Sequence, residues 1–176
     1  MNPQIIKFIG FSGSGKTTLI EKIVKKLSDE GVKVATIKHD VHGLDIDKEG
    51  KDSYRYSKAG AKISVVSSPD MTVFKIHDEL NLNDILSKVS NVDIIIIEGY
   101  SNEEGYPCIC VARKETGKGF KNNFEGYGAV ASDYTTNDLQ EMGFNGVVID
   151  INNIDGVIDY IKNIGTGLHN LDTFRT

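Results

Sequence analysis

Gly10-Phe11-Ser12-Gly13-Ser14-Gly15-Lys16-Thr17 fits the pattern G-x-x-x-x-G-K-[ST] in full. The β-branched run before it, residues 5–9, reads as a buried strand. Behind it Leu19, Ile20, Ile23, Val24 and Leu27 recur at helical spacing, with Glu21, Lys22, Lys25 and Lys26 on the other face. Strand, glycine-rich turn and helix in that order are the context a phosphate-binding loop requires. Glycines let successive N–H groups point at phosphate oxygens where a β-carbon would block approach. The helix start adds amide donors and partial positive charge. Lys16 is expected to reach the β- and γ-phosphates and the Thr17 hydroxyl to take one place on Mg²⁺. A dinucleotide fingerprint would need glycine or alanine where Thr18 stands, so that reading fails.

Outward from the loop, strands and helices alternate. Residues 32–38 read as a strand and 53–58 as a short helix, with Asp52 or Ser53 as its cap. Residues 62–67 and 71–76 read as strands joined by a turn at Ser68-Pro69-Asp70. Leu82, Ile85, Leu86 and Val89 mark a helix, and residues 92–97 a central parallel strand buried on both faces. Strands at 108–112, 128–131 and 146–149 follow, then a helix carrying Ile154, Val157, Ile158 and Ile161. The fold class is α/β, a P-loop NTPase-type, mostly parallel sheet flanked by helices, with an added β-hairpin. Residues 1–164 are expected to form a single nucleotide-binding domain and 165–176 a tail. Residues 117–128, which hold four glycines, are expected to be a mobile loop.

The metal needs an acidic partner. Asp93 and Glu98 bracket the apolar strand, and ligands of parallel sheets gather at carboxyl ends of strands. Asp93 lies five residues upstream, or roughly 16 Å. Glu98 is therefore the candidate for Mg²⁺ or for orienting a water. Gly99 after it suggests close backbone approach to a ligand. Asp40, just past the second strand, is a further candidate for Mg²⁺ or water positioning. The segment 39–47 is rich in possible ligands, and a zinc reading would use His39, His42 and one carboxylate. A calcium loop fails because Tyr56 stands in place of the bidentate glutamate. Lys51 and Arg55 could contact an anion.

Composition narrows the setting. The chain has 176 residues, 39% hydrophobic and 26% charged, with a net charge of -5. This is a globular balance that argues against nucleic acid or anionic membranes as partners. No apolar run approaches a membrane span, and no signal peptide is visible at the N-terminus, so a cytoplasmic protein is expected. Cys108 and Cys110 are read as diverging on their strand, in a reducing compartment. Of 20 cationic residues only Arg55, Arg113 and Arg175 are arginine.

Together these motifs resemble the MobB family of molybdopterin-guanine dinucleotide biosynthesis adapter proteins. The likeness rests on residues 10–18, Ile37-Lys38-His39, Asp45-Ile46-Asp47, Gly50-Lys51-Asp52-Ser53-Tyr54 and Lys58-Ala59-Gly60-Ala61. It continues through Ile97-Glu98-Gly99-Tyr100, Pro107 with residues 111–113, and Ala131-Ser132-Asp133. The resemblance implies a GTP-binding homodimer with weak GTPase activity that assists the enzyme joining GMP to molybdenum-bound molybdopterin. By that likeness Gly13, Ser14, Gly15, Lys16, Thr17 and Thr18 bind the phosphates, Glu98 sits in the acidic metal position, and Asp45, Asp47, Lys51 and Asp52 fall in a family motif that could meet the pterin. Gly43 stands where members can carry an additional histidine, which weakens a metal-handling role. No N-K-x-D motif is present, so Asp133 is the candidate reader of guanine, with a cap or turn role as its alternative. Two rivals remain, a small-molecule P-loop kinase and a metallochaperone GTPase using residues 39–47. The first would need cations on a closing lid, and the three arginines are scattered in sequence. The second would need several thiolates or histidines.

Overall fold

Along the chain the elements run β1 (Gln4–Ile9), α1 (Lys16–Asp29), β2 (Val34–Lys38), α2 (Asp52–Lys58), β3 (Ile63–Ser67), β4 (Thr72–Ile76) and α3 (Leu82–Leu86). They continue with β5 (Ile94–Glu98), β6 (Cys108–Ala112), β7 (Ala129–Ser132), α4 (Thr136–Glu141), β8 (Val147–Asp150) and α5 (Ile154–Gly167). The computed structural model describes residues 2–40 and 48–167. The chain divides into two units, one of Met1–His39 with Val89–Thr176 and one of Asp40–Lys88.

The first unit is built on a six-stranded sheet in the order β2-β5-β1-β6-β7-β8. Every pair in it is parallel. β5 lies between β2 and β1, and Ile94, Ile95, Ile96 and Ile97 are all buried, as the unbroken β-branched run predicts. Ile6, Phe8, Ile96 and Ile109 pack with Leu19, Ile23, Val157 and Ile161 from α1 and α5. Full burial of a side chain such as Phe8 or Ile23 contributes roughly 1.5–3 kcal/mol. A second cluster joins Ile9, Cys108, Cys110, Val130, Leu139 and Phe144. Cys108 and Cys110 therefore share one face, because strand side chains repeat with period two. That corrects the expectation that they diverge.

The segment 117–128 also departs from expectation. It holds a 3-10 turn at Lys121–Phe124, preceded by another at Lys114–Thr116. Phe120 stands 4.7 Å from Phe124 and 5.4 Å from Tyr134, and Phe124 stands 5.2 Å from Phe144. This aromatic anchor fixes the segment against the second cluster. α4 was not expected. Its signal is the capping box Thr135-x-x-Asp138, in which each side chain accepts from the other residue's backbone N–H.

In the second unit β3 and β4 pair antiparallel, with Val65 opposite Phe74 and Ile63 opposite Ile76. Ser68 closes the turn, its N–H donating to Met71 O at 2.8 Å. The N-cap of α2 is Lys51, with no side-chain cap, so neither Asp52 nor Ser53 caps it as expected. Asp52 pairs with Arg55 at 3.5 Å instead.

Candidate functional site

At the end of β1 the chain turns through Gly10, with φ +148°. A β-carbon there would fall 2.2 Å from the Val111 carbonyl oxygen. Gly15, with φ +89°, starts α1 without a side-chain cap, and the first turn carries no acid. The first-turn amides and their partial positive charge are thus not neutralised by a carboxylate of the helix itself. Lys16 Nζ lies across its own loop, donating to Gly10 O at 2.9 Å and Phe11 O at 2.8 Å. Its pKa is lowered, first by burial and then, against the pull of Glu98, by Lys121 and Lys38. Ser14 Oγ is buried and, among the described residues, has no hydrogen-bond partner. Such an orphan is costly in a finished core and is what a loop awaiting an anion would carry.

Thr17 Oγ1 donates to the Glu98 carboxylate, 3.1 Å from Oε1 and 3.2 Å from Oε2. The sheet makes this meeting possible: Glu98 is paired with Phe8 on β1 and with Lys38 on β2. Lys38 Nζ stands 4.0 Å from Glu98 Oε1, and the Glu98 side chain is 15% exposed. A hydroxyl and a carboxylate beside an anion-seeking loop are the hard oxygen donors that suit Mg²⁺, so the residues present fit that ion. Asp93 has another task at the far end of β5, accepting the Lys33 N–H at 2.8 Å. The close approach at Gly99 is to protein, since a β-carbon there would stand 3.2 Å from His39 Cβ. The His39 ring stacks on Tyr100 with centroids 4.5 Å apart. Lys7, 4% exposed, holds the turn beyond by donating to Tyr100 O at 3.2 Å and to Glu103 O.

Gly13 and Thr18 are exposed at the loop and the first turn of α1. Asp133 Oδ1 accepts the Lys114 N–H at 2.8 Å, so it shapes the turn after β6. Asp40 is exposed and opens the second unit. Lys51 and Asp52, with Tyr56, Ile63 and Val65, line an open concavity of about 860 Å³ on that unit. Asp45 and Asp47, with His42 and Gly43, lie outside the described residues. Among the described residues no three His, Cys, Asp or Glu side chains gather as a metal cluster. Burial pushes the Cys108 thiol up to about 12 and that of Cys110 to about 11, which makes both poor metal ligands.

Sequence reasoning missed three cations. Arg113 packs on the phosphate loop, its Nε 3.1 Å from where a β-carbon on Gly15 would sit. Lys118 Nζ donates to Ser12 O at 2.9 Å. Lys121 Nζ stands 5.6 Å from the centre of the Phe11 ring. About a hundred residues separate Lys118 from Ser12 in the chain, a distance no local pattern spans.

Known proteins place the chain. The family described as Molybdopterin guanine dinucleotide synthesis protein B, MobB, matches residues 5–133. The molybdopterin-guanine dinucleotide biosynthesis adapter protein of Escherichia coli is 34% identical over 165 residues, covering 89% of this chain and 90% of that protein. A protein of Methanocaldococcus jannaschii named for the same adapter role is 48% identical over 99 residues, 55% of this chain. That match spans only 41% of the relative's own length. The crystal structure of Bacillus subtilis MobB superposes with a TM-score of 0.68 at 27% identity, covering 89% of this chain and 96% of that one. The chain thus shares its fold with that structure, and it belongs to the MobB family.

Proposed function

We propose that this protein is a GTP-binding adapter in molybdenum cofactor biosynthesis, assisting the enzyme that converts Mo-molybdopterin to molybdopterin guanine dinucleotide. The observation that carries the nucleotide reading is the Thr17 hydroxyl against the Glu98 carboxylate, at 3.1 and 3.2 Å, beside the phosphate loop. The adapter role rests on family membership. In this reading Gly13, Ser14, Gly15 and Thr18 present amides and hydroxyls to phosphate oxygens, and Lys16 leaves the carbonyls of Gly10 and Phe11 for them. Thr17 and Glu98 would hold Mg²⁺, which when bound neutralises charge between the outer phosphates. Asp133, at the carboxyl end of β7, reads guanine through its second carboxylate oxygen while the first keeps the Lys114 N–H. Asp40 positions water, and the concavity bearing Lys51 and Asp52 receives the pterin or its anionic group. Hydrolysis is slow, and delivery to the partner enzyme is the output.

Two further assignments complete the proposal. The protein works in the cytoplasm; among the described residues no helix is long and apolar enough to cross a membrane. It functions as a homodimer, and the hairpin supports this. Met71, Val73 and Phe74, none of which lines that concavity, are 63%, 36% and 68% exposed, apolar surface suited to association. Calorimetric titration with GTP and with ATP in Mg²⁺, followed by addition to a reconstituted molybdopterin guanylyl-transfer assay, tests the reading. Preference for GTP and stimulated transfer are expected. Equal affinity for ATP with no stimulation overturns it.

A further inference from the structure

Lys118, Lys121 and Arg113 reach the phosphate loop from one short stretch after β6, and none has an acidic partner there. Lys118 Nζ is held by the Ser12 carbonyl and Lys121 by the Phe11 ring, and Arg113 lies against Gly15. Among the described residues none of the three is ion-paired with a carboxylate, whereas Lys114 in the same stretch is paired with Asp138 at 2.6 Å. Lys121 and Lys16, both cationic, repel one another across the loop. A carbonyl and a ring face offer a cation much less than an anion would. The stretch is held in place by the ring contacts of Phe120 and Phe124. Phe124 also takes a left-handed backbone, φ +68°, next to Asn123 at φ +46°, and such conformations persist only where the surroundings enforce them. The cations are therefore carried on a fixed support rather than on a free loop.

We propose that residues 113–121 form a second phosphate-binding element, in which Lys118 and Lys121, with Arg113 packed beside them on Gly15, join Lys16 on the terminal phosphate of a nucleoside triphosphate and set the preference for triphosphate over diphosphate. The proposal rests on the nucleotide reading above and adds that discrimination by phosphate number is supplied in cis, by lysines. The element needs no closure of a distant lid. Its two lysines have only to exchange a carbonyl and a ring for phosphate oxygens.

The test is calorimetric titration of the full chain with GTP and GDP in Mg²⁺, for wild type, Lys118→Ala/Lys121→Ala and Lys121→Arg. In the double variant GTP affinity is expected to fall by about ten- to a hundredfold, the worth of one or two charge-assisted hydrogen bonds. GDP affinity should change by less than about threefold, and Lys121→Arg should keep most of the preference. Equal losses for both nucleotides, or none, overturn the second element while leaving the nucleotide reading intact. A wild-type chain that binds neither nucleotide overturns both. Should thermal melting show the double variant unfolded, Lys118→Gln and Lys121→Gln are compared singly, with the same ratio deciding.

Discussion

Glu98 meets a hydroxyl on one side and a lysine on the other, and in the proposed site its charge rather than its shape is what would hold the metal. Glu98→Gln keeps the Thr17 contact sterically and is expected to weaken Mg²⁺-dependent GTP binding or hydrolysis with little effect without the metal. Titrations with and without Mg²⁺ read this directly, and normal behaviour in both would pass the acidic role to Asp40. Lys16→Ala should abolish triphosphate binding, and a thermal melt should show the fold intact, because among the described residues Nζ donates only to the carbonyls of Gly10 and Phe11. Asp133→Asn retains an acceptor for the Lys114 N–H while turning an acceptor toward the base into a donor. Preference should move from GTP toward xanthosine triphosphate, as measured by competition binding. The phosphate loop was legible in the sequence because its residues are contiguous. The placement of Asp93 and Glu98 at opposite ends of β5 was legible because a strand has a fixed rise per residue. Asp133 was not, since a carboxylate near a strand end serves a turn as readily as a ligand.

α4 shows what a short motif does for an element that propensity alone would not announce. Asp138 is held down to about 2 from its ordinary 3.8, first by Lys114 and then by the backbone and hydroxyl of Thr135. A carboxyl with a depressed folded pKa lends stability that is complete above its unfolded value and is lost as pH falls through the folded one. Asp138→Asn should therefore melt below wild type at neutral pH, with the gap closing as pH drops from 3.8 to about 2. Thermal melts across that range supply the check. The hairpin, α1 and β5 were readable from periodicity. The segment 117–128 was misread because its four glycines outweighed Phe120, Phe124 and Tyr127, whose anchoring depends on Phe144 and Tyr134 arriving later in the chain.

On the scale of the whole molecule, composition understated the positive charge around the glycine-rich loop. The arginines are scattered in sequence, but Lys118 and Lys121 join Arg113 at the loop, where the sequence offered no local sign of them. The hairpin has the opposite character, and Phe74→Glu should shift the proposed homodimer toward monomer in light scattering while leaving GTP affinity unchanged. Sheet order was likewise beyond reading, because periodicity marks strands but does not rank neighbours. That order bears on how the protein is made. β1 carries the phosphate loop and leaves the ribosome before both its partners, β5 and β6, which are encoded after the entire second unit. Until residue 98 is out, β1 has no parallel neighbour on either side, and Thr17 has no Glu98 to meet. The nascent chain must carry its most apolar early strand unpaired through much of translation. The proposed nucleotide binding can then begin only once residue 98 has been made, and a ribosome stalled within the hairpin would expose an aggregation-prone β1 rather than a working half-domain.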